Sequence, residues 1–184
     1  MLIGMYTPTY AQNKSTSKNQ YVKILQDRLK QVVNKGIHYN YYLGEDLYTE
    51  RSYISDAKVS INDKDQVEIY LYSTTQKYDV NSNETIRSEH GDSFVFDPAF
   101  INEVKLKGKL SDYSKSELGL LVVEFSQEIE KRTMVQRNKH LDPDLLQSPP
   151  VYEFELPYLK ADMTNPEAIQ NALIDLKNSL KLSK

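Results

Sequence analysis

The chain of 184 residues contains no cysteine and no tryptophan, and it has only three histidines and six glycines. Without cysteine it has no disulfide bonds, no thiolate zinc sites and no cysteine nucleophile. None of the glycines stands in the GxGxxG or GxxxxGK spacing of phosphate-binding loops, which argues against nucleotide hydrolysis and dinucleotide chemistry. These absences remove most of the residue types from which readily recognised catalytic sites are built.

The formal charge is −3 at pH 7. Because non-specific affinity for nucleic acid comes from clustered lysines and arginines, so mild a charge argues against a polyelectrolyte-binding domain. The first residues, MLIGMYTPTYAQN, lack the positively charged segment and the long apolar run of a secretory signal. No segment has the about 18 uninterrupted apolar residues of a membrane span. We therefore expect a soluble, intracellular protein with one domain overall and no membrane span.

Two segments show the 3.6-residue period of helices. The first is predicted over about 18–35, with Ser17 in capping-box position and Gly36 as the residue that ends it. The second begins at the predicted cap residue Asn165. Its narrow apolar stripe is similar to a short coiled-coil seam that docks on this chain or on another subunit, and it contains Leu173, Leu176 and Leu180.

Residues 37–96 show the period of two that is typical of strands. Alternating residues over 53–71, interrupted by the turn at 62–65, predict a hairpin with an aliphatic inner face. A second polar turn at 81–84 predicts another hairpin that returns through 94–96. The predicted fold class is α+β, an antiparallel β-sheet meander flanked by an N-terminal and a C-terminal amphipathic helix.

The second half of the chain is less clearly patterned. Residues 104–110 alternate aliphatic residues with lysines, which is typical of a solvated or edge strand. Residues 116–134 fit a helix and a strand buried on both faces about equally well. The clearest break is the proline-containing stretch 140–150. We therefore divide the chain into an α+β core, 1–147, and a segment, 148–184, whose connector, strand and helix pack on the core or on a neighbouring subunit.

One cluster has the residue types of a catalytic site. Residues 89–93 combine an imidazole, two carboxylates and a hydroxyl, which suit general acid–base chemistry. Neighbours on a turn usually point apart, so a polar hairpin turn is the preferred interpretation. His140, Asp142 and Asp144 are possible metal ligands, but a loop explains them as well. We predict no catalytic residue, no cofactor and no metal site, and keep an enzyme using His90 or His140 as a third hypothesis.

Tyrosine is the main aromatic residue, with 14 copies against five phenylalanines. Its large ring and its hydroxyl suit protein interfaces, but in a domain without tryptophan it must also fill the core. We weigh the two roles evenly. The interface candidates on strands are Tyr70, Tyr72, Tyr152, Phe154 and Tyr158, and those on the terminal helix are Leu173, Leu176 and Leu180.

Basic residues form a row at 105–109 and a cluster at 131–139. Together they are candidates for a groove that faces the phosphate backbone of DNA. Glu128 and Glu130 interleave with the cluster, so a solvated face is the simpler interpretation. The candidates are Lys105, Lys107, Lys109, Lys131, Arg132, Arg137 and Lys139.

The order of elements is a capped helix at 17–36, a meander at 53–96, the connector at 148–150 and a terminal helix after Asn165. In this pattern the chain resembles small virion proteins of tailed bacteriophages, such as neck, head–tail joining or tail-ring subunits. The resemblance implies a non-enzymatic structural protein of the virion, a ring-forming homo-oligomer that meets other structural proteins. The alternative is a small protein-binding or regulatory module, a host-defence inhibitor or mobile-element effector, that covers its partner with a tyrosine-rich sheet face.

Overall fold

The parts of the chain that the structure describes contain two α-helices, eight strands and one short 3-10 helix, Pro98–Phe100. The computed structural model describes residues 9–43, 46–79, 84–107, 116–136 and 144–181. The elements are α1 (Thr9–Lys30), β1 (Gly36–Leu43), β2 (Asp46–Ile61), β3 (Val67–Asp79), β4 (Glu84–Phe96), β5 (Ile101–Leu106), β6 (Leu118–Gln136), β7 (Asp144–Gln147), β8 (Val151–Leu159) and α2 (Thr164–Lys181). Within these ranges, no helix is long and apolar enough to cross a membrane.

The eight strands form one sheet in which the described pairings are antiparallel. From β1 to β4 each strand pairs with the next in sequence, and β6 lies between β4 and β5. The first half of β6 pairs with β5 and β8, and its second half pairs with β4 and β7. Leu121, Val122 and Val123 in succession are buried, as expected of a strand covered on both faces. The segment that fitted helix and strand equally well is therefore a strand.

The helices lie against one face of the sheet, which we call the inner face. Its core includes Ile69 of β3 and Phe96 of β4, with Leu29 of α1 and Leu173 of α2. Each of these side chains is at most 1% exposed, and burying one of this size contributes about 1.5–3 kcal/mol. The chain thus combines an antiparallel sheet with one helix at each end, which confirms the predicted fold class at that level.

The predicted bounds of the first helix are wrong at both ends. The helix begins at Thr9, upstream of the predicted cap Ser17, and ends at Lys30. A turn follows, in which Asn34 has a φ of 64°, the left-handed conformation typical of residues that follow helices. Gly36, which was expected to end the helix, is the first residue of β1.

Three predictions for the sheet also need correction. The register of β2 against β3 shifts between Ile54 and Asp56, and this bulge places Tyr53 on the face opposite to Ala57. Residues 89–93, predicted as a hairpin turn, lie inside β4 and pair with β3 and β6. Polar residues continue the strand there because both of its edges are hydrogen-bonded. The predicted break at 140–150 contains the short strand β7.

The described residues of the segment 148–184 pack on the rest of the chain. β8 pairs with β6, and α2 packs against α1 and β5. Asn165, predicted to cap α2, is fully buried. Asp162 instead supplies the oxygen at the start of the helix, because its carboxylate accepts hydrogen bonds from the backbone N–H and the hydroxyl of Thr164. These two bonds lower the pKa of Asp162.

Candidate functional site: the outer face of the sheet

The face of the sheet opposite the helices, which we call the outer face, carries the predicted tyrosine pair. Because alternate residues of a strand point to opposite faces, burial of Ile69 on the inner face places Tyr70 and Tyr72 on the outer face. The face is open to solvent: the side chains of Lys58, Arg87 and Arg132 are 69%, 52% and 48% exposed. The outer face therefore presents aromatic rings in the middle of a wet surface.

Tyr70 lies flat across the strand next to its own. A Cβ atom on Gly91 of β4 would lie 2.7 Å from the Tyr70 hydroxyl oxygen and 2.9 Å from a ring carbon, so only glycine leaves room for this ring. Tyr72 stacks beside it, with ring centroids 6.4 Å apart and an interplanar angle of 21°. The ammonium of Lys58 lies 5.9 Å from the centre of the Tyr70 ring, a cation–π distance. Gly91 and Lys58 thus fix the position of the pair.

Tyr72 is held by a polar network. Its hydroxyl donates to a Glu89 carboxylate oxygen at 2.8 Å, and the other oxygen of Glu89 accepts from Arg87 at 2.8 Å. Burial, followed by this hydrogen bond to Glu89, raises the pKa of Tyr72 to about 12. The hydroxyl therefore remains a protonated donor at physiological pH.

The raised pKa predicts how Tyr72 contributes to stability at alkaline pH. An acid whose pKa is higher in the folded chain binds its proton more tightly there, so its contribution is present below the ordinary value of 10.0 and is lost as the pH rises toward about 12. We expect the difference in unfolding free energy between the wild type and Tyr72→Phe to shrink between these limits. Urea unfolding of both proteins across this range measures it, and a pH-independent difference would contradict the assignment.

The charged groups on the outer face are paired with one another. Lys58 contacts Asp56 at 2.9 Å, and Arg132 contacts Glu130 at 2.7 Å. The hydrogen bond from Lys58 lowers the pKa of Asp56. Glu68 accepts a hydrogen bond from the Ser93 hydroxyl at 2.5 Å. The face is therefore polar without presenting a field of one sign.

The other interface candidates have different environments. Phe154 is 4% exposed, and Leu173 and Leu176 are fully buried, so the chain's own core takes up all three side chains. Tyr158 lies over Gly119, where a Cβ atom would be 2.2 Å from its ring. Tyr152 is 58% exposed. The side chain of Leu180 lies outside the described residues.

The lysine row lies among carboxylates. Lys105 contacts Glu124 at 2.5 Å and Glu103 at 3.2 Å, and these two hydrogen bonds raise the pKa of Lys105. Lys107 contacts Glu155. Lys109 lies outside the described residues. The described part of the row is therefore locally neutralised.

The basic cluster at 131–139 is divided between the two faces. Lys131 pairs in register with Phe94 of the inner face, lies 5.6 Å from the centre of its ring and is 3.5 Å from Asp92. Arg132, the next residue, is on the outer face, bonded to Glu130. Neighbours in a strand point to opposite faces, so the two cations do not share a surface. Arg137 and Lys139 lie outside the described residues.

His90 takes part in a polar chain that contains Asp92 of its own cluster and residues of the neighbouring strands. Its Nδ1 lies 3.1 Å from the hydroxyl of Ser73, its cross-strand partner on β3, and its Nε2 lies 3.7 Å from Asp92 on the same face of β4. Asp92 also accepts from the Thr133 hydroxyl at 2.6 Å and faces Lys131. Hydroxyl, imidazole and carboxylate thus lie in a row. His140, the other candidate, lies outside the described residues.

The geometry of this row fits a structural network better than a nucleophilic site. Ser73 is only 9% exposed, and its strand is paired along both edges. This pairing uses the backbone N–H groups of β3 around Ser73, so the strand itself offers none to stabilise an oxyanion. Across the described residues, no group of three or more His, Asp or Glu side chains is placed to hold a metal ion.

Gly91 and Lys58 were not predicted as site residues, although one local pattern points to Gly91. Lys58 pairs directly with Tyr70 across β2 and β3. Gly91 pairs with Tyr72 across β3 and β4, so it lies diagonal to Tyr70, whose ring covers it. A glycine inside a strand, diagonal to an aromatic residue on the next strand, indicates a ring lying over bare backbone.

Comparison with protein-family models, with curated proteins and with solved structures finds no match for this chain.

Proposed function

We propose that this chain is a non-enzymatic structural protein of a larger assembly, a virion neck or tail subunit that contacts copies of itself and other structural proteins. The observation that carries the proposal is the stacked pair of Tyr70 and Tyr72 on the open outer face. Tyrosines held rigidly in this way bring a large contact area to an interface and lose little side-chain entropy on binding.

The charges of the outer face support the same proposal. Lys58 and Arg132 are each already paired with a carboxylate on the same face. A protein that covers this surface does not have to desolvate unpaired charges, which is the main cost of burying ions. Contact with DNA is not part of the proposal, because Lys105 and Lys107 are bonded to glutamates.

The mass of the purified protein in solution tests the proposal. Light scattering across a concentration series is expected to give a discrete oligomer, and electron microscopy of the largest species is expected to show closed particles. A protein that is monomeric at every concentration would contradict self-assembly and favour the alternative, a small protein-binding module.

Variants of Tyr72 test whether the outer face makes the contact. Tyr72→Ser removes the ring and is expected to lower the mass of the oligomer, while the urea midpoint shows that the chain still folds. Tyr72→Phe is the matched control, since it keeps the ring and loses only the hydroxyl that bonds Glu89. Equal masses for the wild type and Tyr72→Ser would rule out this face as the contact.

A further inference from the structure

A cleft of about 300 Å³ lies between β8 and the inner face of β3, β4 and β6. Four apolar residues line it: Leu71, Phe94, Val151 and Phe154. The rings of Phe94 and Phe154 stack with centroids 4.4 Å apart, so they form one continuous aromatic wall. Pockets for small molecules combine such an apolar lining with a few polar groups, and this volume is at the small end of their range. The cleft therefore has room for a small ligand with an apolar body.

Two opposite charges, Lys131 and Asp92, lie side by side in the lining. Their side chains are 27% and 20% exposed, and Nζ of Lys131 lies 3.5 Å from Oδ1 of Asp92. A hydrogen bond between charged groups is shorter, about 2.7–2.9 Å. The two groups are therefore close enough to attract each other, but they do not form a hydrogen-bonded pair.

Both groups keep hydrogen-bonding capacity. An ammonium has three N–H donors, and among the described residues Lys131 has only Asp92 and the ring of Phe94 as neighbours of its charge, the ring centre at 5.6 Å. Oδ1 of Asp92 accepts from the Thr133 hydroxyl at 2.6 Å, whereas the described partner of Oδ2 is Nε2 of His90, at 3.7 Å. One donor group and one acceptor atom thus remain for a ligand.

Two other lysines with little exposure are bonded more closely. Lys18 is 8% exposed and contacts Asp65 at 2.9 Å, and Lys107 is 32% exposed and bonds Glu155. Partial burial removes water from an ammonium, so an acceptor of the protein normally replaces that water. Lys131 lies between these two lysines in exposure and has the longest contact of the three. Its cleft position leaves that acceptor to be supplied by a ligand.

The two glutamates that line the cleft direct their carboxylates to the other face of β8. Glu155 bonds Lys107, and Glu153 pairs in register with Glu124. Adjacent residues of a strand point to opposite faces, so both side chains point away from the face on which Phe154 meets the cleft. The backbone of β8 therefore borders the cleft at these positions. The two remaining charges of the lining are opposite and cancel.

We propose that the cleft binds a free α-amino acid with an apolar side chain, such as phenylalanine or leucine. Its carboxylate accepts from Lys131, its ammonium donates to Oδ2 of Asp92, and its side chain lies against the aromatic wall. A zwitterion fits because a carboxylate alone would meet the like charge of Asp92, and an amine alone would meet that of Lys131. An α-amino acid carries both charges on one carbon, which matches two protein groups that lie side by side. The cleft is separate from the outer face, so this inference does not depend on the proposed assembly.

Amide chemical shifts of the isotope-labelled full chain test the binding. Titration with L-phenylalanine up to about 10 mM is expected to give saturable shifts. The largest are expected at the β8 amides that border the cleft, those of Glu153 and Glu155. A titration without saturable shifts would overturn the proposal.

Three analogues test which groups of the ligand are recognised. Hydrocinnamate lacks the ammonium, phenethylamine lacks the carboxylate, and glycine lacks the apolar side chain. Each is expected to bind at least about tenfold more weakly than L-phenylalanine, because a charged hydrogen bond and the burial of a ring each contribute that much. Hydrocinnamate or phenethylamine binding as tightly as L-phenylalanine would overturn recognition of the zwitterion.

Substitutions of the two charged residues locate the site. Lys131→Met and Asp92→Asn are each expected to weaken binding at least about tenfold, and Asp92→Asn keeps an oxygen for the bond from Thr133. Lys105→Met is the matched control, since Lys105 is bonded to two glutamates and lies outside the cleft lining. It is expected to bind within about twofold of the wild type. Wild-type affinity in both cleft variants would overturn this site, and if either variant does not fold, the analogues decide on the wild type.

Discussion

Phe154→Ala is expected to lower the free energy of unfolding by about 3–5 kcal/mol, the usual cost of truncating a buried phenylalanine. The Phe154 ring stacks on Phe94 with centroids 4.4 Å apart and on Phe125 with centroids 5.6 Å apart. It also contacts Phe96. Removing the ring leaves a cavity lined by three aromatic side chains that a strand-bound backbone cannot close. Urea denaturation followed by circular dichroism measures the loss.

Tyr152→Ala is the matched control for this prediction. It removes an aromatic ring two residues away on the same strand, but the Tyr152 side chain is 58% exposed. A surface truncation of this kind usually changes stability by about 0.5 kcal/mol or less. Comparable losses in the two variants would contradict the placement of Phe154 in the core. If Phe154→Ala does not fold, Phe154→Leu gives a measurable value, because it removes fewer carbon atoms.

The hairpins of the first half could be predicted from sequence because their signals are local. The turn at 62–65 separates two runs of alternating residues, and β2 and β3 pair directly across it. Asp65 takes the left-handed conformation, with φ 66°, which Asp tolerates better than most residues. The alternating residues and the turn residues lie within a few positions of each other, so the hairpin could be predicted without knowing any distant contact.

The predictions for 116–134 and 89–93 were open or wrong for the opposite reason, since contacts with other strands determine the structure of these segments. The sequence of β6 fits a helix and a strand equally well. It forms a strand because β4, β5, β7 and β8 hydrogen-bond to it along both edges. The polar residues 89–93 read as a turn, and they form the middle of β4 because Tyr70 covers Gly91 and because β3 and β6 pair with them. Two of the strands that pair with β6, β4 and β8, are separated from it along the chain by another strand, and the ring that covers Gly91 belongs to a different strand.

The candidate site was predicted in part for the same reasons. Tyr70 and Tyr72 follow from the period of β3, and they do lie on the outer face. Phe154 and Tyr152 have the same spacing as a pair, but a register shift between β6 and β8 near Glu124 and Ile129 separates their environments. Such a bulge leaves little trace in the sequence.

Asn165→Asp is expected to lower the free energy of unfolding by about 3 kcal/mol, because it places a charge in a buried site. Asn165 was predicted as a helix cap, where Asn and Asp are equally favourable. Its buried side chain instead joins two elements: Oδ1 accepts from the Leu159 N–H at 3.2 Å, and Nδ2 donates to the Gln31 side-chain oxygen at 2.8 Å. A carboxylate has no N–H to donate, so it would face the Gln31 oxygen without a proton between them.

The substitution therefore separates the two roles of Asn165. A cap predicts almost no change, whereas a buried bridge predicts a large loss that shrinks in acid, where the carboxyl group is neutral and can donate its proton to Gln31. Asp162→Asn is the matched control, since the half-buried Asp162 bonds the start of α2 and pairs with Arg28 at 3.1 Å, and its exchange is expected to cost about 1 kcal/mol or less. Urea unfolding at pH 7 and pH 4 measures both variants. Equal small losses at pH 7 would contradict the bridge, because only a solvated side chain tolerates Asn and Asp alike.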